Sequence, residues 1–239
     1  MIELRLADKR GLADFGWLNS HHTFSFGRYY DEQQVGFSDL LVINDDRVQA
    51  GMGFGTHPHA DMEIFSYVLE GALAHKDSMG TGSVINQGDL QMMSAGTGIS
   101  HSEYNHSKTE AVHFLQIWIV PNQKSVKPRY QQQHYSEHEK RGKLRLIISP
   151  DGAQGSLSVY QDLTAYAGLF NGDESYELTL AANRYAYVHF AYGSVSLNGT
   201  QLNEGDGVKV RDAQTLVFAN GKNAEVLVFD LRAMELPEM

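Results

Sequence analysis

Two short stretches, THPHADME at 56–63 and GTGISHSEYN at 96–105, each place a pair of metal-ligating side chains one residue apart: His57 with His59, and His101 with Glu103. In an extended strand residues i and i+2 project from the same face, whereas on a helix they diverge by about 200°. Pro58 disfavours helix at the first pair, because it lacks an amide donor and restrains its predecessor to extended backbone. Both imidazoles can therefore aim at one point. A neighbouring strand offering His101 and Glu103 would complete a set of three nitrogens and one oxygen. Such a set suits Fe(II), Mn, Ni, Cu or Zn, and on an octahedral ion it leaves two positions for exogenous molecules. The chain has no cysteine, which excludes thiolate ligation, iron–sulfur clusters, disulfides and cysteine nucleophiles. A carboxylate in a cysteine-free ligand set goes with an open, reactive site more often than with a closed structural one.

Other residues carry weaker signals. His21 and His22 are adjacent, so a strand sends them to opposite faces, and satisfied or exposed side chains are expected. His75, His106 and His113 have no partner at ligand spacing and read as structural or solvated. Asp61 and Glu63 read either as acceptors for ligand imidazole N–H groups or as exposed strand charges. Gly96 and Gly98 lack the Lys-Ser/Thr that follows in a phosphate loop, so they read as a bend behind His101. Ser100 and Ser102 sit in no nucleophile-elbow or oxyanion-hole pattern, and a hydrolase triad is unsupported. A formal charge of −10 without long Lys or Arg runs disfavours nucleic acid and anionic membrane as direct partners. The opening MIELRLADKR lacks an apolar signal core, and no run of about 18 apolar residues occurs, so a cytoplasmic protein is expected.

Two i, i+2 pairs need strands to carry them, and the sequence is rich in strand signals. LLVIN (40–44), IFSYVLEG (64–71), VHFLQIWIV (112–120), AYVHFAYG (186–193) and EVLVFDL (225–231) are β-branched or aromatic and are punctuated by Gly, Asn or Asp. Asn198-Gly199 and Asn220-Gly221 suit the positive-φ turns of β-hairpins. Helix is scarce: SEHEKRG (136–142) has capping-box spacing at Ser136 and Glu139 but is short. The polar stretch from Pro121 to about Arg145 reads as a connector.

The halves also look related. YVLEGALAH followed by QGDLQMM parallels HFAYGSVSL followed by EGDGVKV. His57 and His59 lie 14 and 12 residues before Gly71, and the same offsets before Gly193 reach Thr179 and Ala181. His101 and Glu103 lie 13 and 15 residues after Gly88, and those offsets after Gly205 reach Phe218 and Asn220. A duplicated all-β architecture follows, with residues 1–130 as the metal-binding domain and 131–239 as a second domain lacking ligands.

These strings resemble a known family. Gly51, His57, His59, Glu63 and Gly71 are similar to the first cupin motif, with Gly71 one residue late. Gly88, His101 and Asn105 are similar to the second, with Ser94 where that motif has proline. HTFSFGRYYD (22–31), residues 44–71, MSAGTGISHSEYN (93–105), QIWI (116–119) and SPDGAQGSL (149–157) more specifically resemble pirin and the bacterial pirin-like quercetinases. The resemblance implies a bicupin, two β-barrels of double-stranded β-helix type, with one divalent metal in the first. It implies His57, His59, His101 and Glu103 as ligands, Fe(II) as the leading metal, and Glu103 also as the catalytic base. The implied activity is a quercetin 2,3-dioxygenase that opens a flavonol ring with O2. The implied partner is a small aromatic substrate, in a protein expected to be monomeric. Pirins also act through protein partners, so a metal- or redox-sensing regulatory protein is the alternative the resemblance carries.

Overall fold

A computed structural model describes residues 2–212 and 215–236. Among these, strands dominate, and helix is confined to Glu137–Lys140 and two 3-10 turns. The strands build two β-barrels, the bicupin expected. The first consists of a seven-stranded and a four-stranded sheet, and the second is organised around a nine-stranded sheet. Among the described residues no helix is long and apolar enough to cross a membrane.

The strand Val112–Ile119 shows why these segments read as apolar on both faces. It pairs with Leu40–Val48 on one side and Glu63–Glu70 on the other. Leu115, Ile117 and Ile119 enter a core cluster shared with Tyr187, Leu227 and Phe229 of the second barrel, together with Phe65 and Tyr67. Phe114 and Trp118 point the other way, into clusters of the first barrel's interior. A central strand buried on both faces loses the simple apolar–polar alternation. The second barrel has its own interior around Val188, Phe190, Phe218 and Val228.

The internal repeat is visible in the backbone. Gly71 and Gly193 adopt φ of 76° and 62°, and a Cβ at either would lie within 3.0 Å of a carbonyl oxygen, of Ala111 and Asn223 respectively. Asn198 and Gly199, with φ of 48° and 80°, form the expected hairpin between Arg184–Leu197 and Thr200–Asn203. The one-turn helix carries the expected capping box, Ser136 N and Oγ both donating to Glu139 Oε2 at 2.9 and 2.8 Å.

Three expectations change. Asn220-Gly221 is not a hairpin: strand Thr215–Arg232 runs through it and pairs with Arg184–Leu197 on both sides, with Asn220 at φ 55°. The pair makes a bulge that bends a long strand. The stretch read as a connector contains the strand Arg129–His134, which extends the sheet of the first barrel beside Asp89–Ser94. Its glutamines are polar because they satisfy backbone carbonyls of neighbouring strands, Gln131 Nε2 donating to Ser158 O and Gln132 Nε2 to Val84 O. A division at 130/131 therefore cuts that strand. At the other end Ile2–Arg5 pairs with Gly207–Val210 of the second barrel.

The barrel interface also holds buried charge. Asp45 accepts from His113 Nε2 at 2.7 Å and from Arg10 Nη1 at 3.1 Å. Burial opposes ionisation there, but the His113 hydrogen bond and the Arg10 charge hold Asp45 well below the usual carboxylate range. His189 faces this group fully buried, and neither ring nitrogen has a hydrogen-bond partner among the described residues. Burial first, then the charge of Arg10, pushes His189 down to about 3. Between its ordinary value near 6.5 and about 3, the unfolded chain takes up a proton that the folded chain refuses. The His189 contribution is therefore fully present above pH 6.5 and is lost as pH falls. From pH 6.5 to 5 this costs on the order of 2 kcal/mol. His189→Leu should flatten the fall in urea midpoint over that range. A midpoint that drops as steeply as in the parent protein would contradict the assignment.

Candidate metal centre

The four-stranded sheet positions the chemistry. Strand Ile99–Asn105 lies between Gly53–His59 and Ala72–Asp77, and its residues alternate so that His101 and Glu103 are buried while Ser100 and Ser102 are partly open. His101 stands opposite His57, and Ile99 opposite His59. Gly98, at φ 128°, ends the bend that feeds this strand, as the Gly-rich spacing suggested.

The imidazoles converge. Ring centroids of His57 and His101 are 4.5 Å apart, those of His57 and His59 4.8 Å, and those of His59 and His101 5.0 Å. One nitrogen from each lies within 4.8 Å of the others. His57 Nδ1–H donates to the Gly55 carbonyl at 2.7 Å, which leaves Nε2 as the free lone pair. His101 Nε2 is buried without a hydrogen-bond partner among the described residues. An orphaned buried nitrogen beside two further imidazoles is what a ligand set without its ion should contain, so these residues fit a divalent metal. Burial, with repulsion from His57 and neighbouring rings, pushes His101 down to about 3. Burial and then repulsion from His101 and His57 lower His59 to about 4. Neutral imidazoles at ordinary pH keep their lone pairs for a metal.

Glu103 sits differently. A register shift between His101 and Glu103 sets it opposite Phe54 on one side and His75 on the other. Its carboxylate accepts from Ser66 Oγ at 2.9 Å and Gln116 Nε2 at 2.8 Å. Within 4.8 Å it joins His101 and His75, not the His57–His59 pair. The structure thus brings three of the four expected ligands together and holds the fourth, Glu103, two residues beyond His101 on the same strand.

Of the two readings given for His75, the structure supplies the structural one rather than the solvated one. It is buried, with Nδ1 3.5 Å from His101 Nδ1 and Nε2 3.2 Å from Asp77 Oδ2. Burial works against ionised Asp77, but the His75 hydrogen bond and the amides of Thr81 and Met79 keep its carboxyl below the ordinary value. The order Asp77, His75, His101 fixes the protons on the far side of His101 and leaves the Nε2 lone pair free. An i, i+2 relation between His75 and Asp77 was present in the sequence, but its importance depends on the adjacent strand. Glu63 is not an exposed strand charge: it is buried, accepts from Ser94 Oγ at 3.0 Å, and is pushed up to about 7 by burial. Asp61 instead accepts from the Ser125 amide at 2.6 Å.

A cavity of about 660 Å³ opens beside the cluster, lined by His57 and Glu103 and walled by Phe26, Tyr29, Phe54 and Trp118. Trp118 packs edge-on against His59 at 5.0 Å and against Phe26 at 5.5 Å. Asp46, also in the lining, is pushed up to about 7 by burial, with the Asp45 and Glu103 charges adding.

Residues 4–119 match the Pirin family model, and residues 146–231 match that of the quercetinase C-terminal cupin domain. The chain is 48% identical to quercetin 2,3-dioxygenase of Escherichia coli (strain K12) over 231 residues, covering 97% of this chain and 99% of the relative. The chain belongs to the pirin family. The crystal structure of bacterial pirin YhhW in complex with nickel(II), from Escherichia coli, superposes with a TM-score of 0.93 at 46% identity, covering 98% and 100% of the two chains. Quercetin 2,3-dioxygenase from Acinetobacter baumannii, at 20% identity, shares the fold with a TM-score of 0.75 over 97% of this chain and 86% of that one.

In this pirin, His75→Phe removes the acceptor for His101 Nδ1–H while keeping a ring in the core. Loss of such an outer partner typically lowers metal affinity about 10–100-fold. Competition of Ni(II) against a chromogenic chelator should show that drop. Unchanged affinity would mean that His75 does not orient His101.

Proposed function

We propose that this protein is a metal-dependent dioxygenase of quercetin and related flavonols, converting the flavonol and one O2 into a depside and carbon monoxide. The carrying observation is the convergence of His57, His59 and His101 beside a cavity walled by aromatic rings. Identity of 48% to a quercetin 2,3-dioxygenase and likeness to a nickel(II)-bound pirin support the reading.

In this reading His57, His59, His101 and Glu103 hold one divalent metal, Fe(II) foremost, with Mn, Ni, Cu and Zn as the other ions the donors accept. The metal supplies Lewis acidity that lowers the pKa of a coordinated hydroxyl. Glu103 accepts the proton of the flavonol 3-hydroxyl, and Ser66 and Gln116 hold its carboxylate in place for that transfer. Deprotonation makes the ring electron-rich enough for dioxygen to attack. Phe26, Phe54 and Trp118 offer apolar faces to the flat rings and exclude water from the reacting carbons.

Protein loaded separately with Fe(II), Mn, Ni, Cu and Zn should consume quercetin under air with stoichiometric carbon monoxide. Turnover without carbon monoxide, or none with any metal, would sink the reading. Glu103→Gln keeps the shape and removes the base, and kcat should fall about 10²–10⁴-fold. His101→Ala should abolish metal binding and turnover together.

A further inference from the structure

His22, Asn44, Gln116 and Ser66 stand opposite one another on four adjacent strands of the first barrel's large sheet. Registered partners share a face, so these side chains form one polar row across the barrel interior. Apolar clusters flank it, around Val48, Val68 and Phe114 on one side and Ile64 and Met93 on the other. One end of the row has its explanation, since Ser66 and Gln116 hold Glu103. The other end does not.

There His22 Nδ1 meets Asn44 Oδ1 at 2.7 Å, with Ser20 Oγ at 3.3 Å. An amide oxygen can only accept, so Nδ1 carries the proton and Nε2 keeps its lone pair. Nε2 has no hydrogen-bond partner among the described residues, and His22 and Asn44 line the same cavity as His57 and Glu103. The ring is clamped in that orientation by Phe26, 5.3 Å away, and by Tyr29, stacked at 6.5 Å. Unlike His189, whose unpartnered nitrogens are enclosed in the barrel interface, His22 lines a ligand-sized space where an acceptor can be used. Burial also lowers the His22 pKa, which keeps that lone pair free at neutral pH. Adjacent strands lie about 4.8 Å apart, so the His22 backbone is about 10 Å from that of Gln116, the span of a two- or three-ring planar molecule.

We propose that His22, oriented by Asn44, is a second hydroxyl-binding subsite: its Nε2 accepts a hydrogen bond from a phenolic hydroxyl at the end of the ligand remote from the imidazole cluster. The subsite rests on the flavonol reading above and adds a requirement to it. A ligand lacking the remote hydroxyl leaves Nε2 buried and unpaired, and discrimination of about 10–100-fold is expected.

Kaempferol and galangin differ by one hydroxyl at the far ring. Their binding to Ni(II)-loaded protein under nitrogen can be followed by tryptophan fluorescence, without turnover. Wild type should prefer kaempferol at least tenfold. His22→Phe should bind the two alike, and His22→Gln, which retains an acceptor, should keep part of the preference. A purely structural role for His22 would weaken both ligands equally and leave the ratio intact. Persistence of the full preference in His22→Phe overturns the subsite while the flavonol reading stands. Equal binding of the two by wild type overturns it whatever the variants do. Failure of wild type to bind either flavonol removes the underlying reading, and the subsite with it.

Discussion

The antiparallel pairing of Ile99–Asn105 with Gly53–His59 is the constraint on which the functional region depends. It sets His101 opposite His57, and side chains directly opposite on one face come within ligand distance of a common point. A slip of one residue would turn His101 and Glu103 outward and Ser100 and Ser102 inward. Registration is secured from both sides, because the same strand also pairs with Ala72–Asp77. That second pairing brings His75 and Asp77 to the far side of His101 and so determines which nitrogen is free.

Placing several imidazoles and a carboxylate in a barrel interior is costly, and each is handled separately. Burial and repulsion between neighbouring rings hold His59 and His101 toward the neutral form. Glu103 is compensated by two hydrogen bonds, each worth about 1.5–3 kcal/mol to a charged acceptor, against a burial cost of several kcal/mol. Removing either donor would leave the carboxylate undercompensated. Stability and chemistry therefore draw on the same side chains. The second barrel makes no such demand: Phe218, at the offset where the first barrel has His101, is fully buried in an apolar cluster. That barrel supplies an apolar wall for the first, along which Phe65, Tyr67 and Leu115 share a cluster with Tyr187, Leu227 and Phe229.

The chain crosses between barrels at more than one place. Ile2–Arg5 completes the second barrel, and Asp39 receives Arg232 in a two-point ion pair across almost the length of the chain. Lys140 of the one-turn helix joins Tyr67 and Glu225 across the interface. These bridges tie the two barrels together at several points.

Amino-acid order by itself determined the strand-borne pairs His57/His59 and His101/Glu103, the duplication, the absence of equivalent pairs at the matching offsets in the second half and the all-β class. Each is a matter of local periodicity or of counting along the chain, which needs no partner strand. What tertiary structure decided depended on register between distant segments. His75 became a neighbour of His101, Asn220-Gly221 became a bulge because Arg184–Leu197 pairs on both sides of it, and the glutamines at 131–133 became an edge strand. Adjacent His21 and His22 were expected on opposite faces, but only the packing of strand Leu18–His22 against Leu40–Val48 turned His22 toward a cavity and set His21 opposite Asp45. Spacing fixes which side chains share a face; which face is opposed by what is set only when the sheets close.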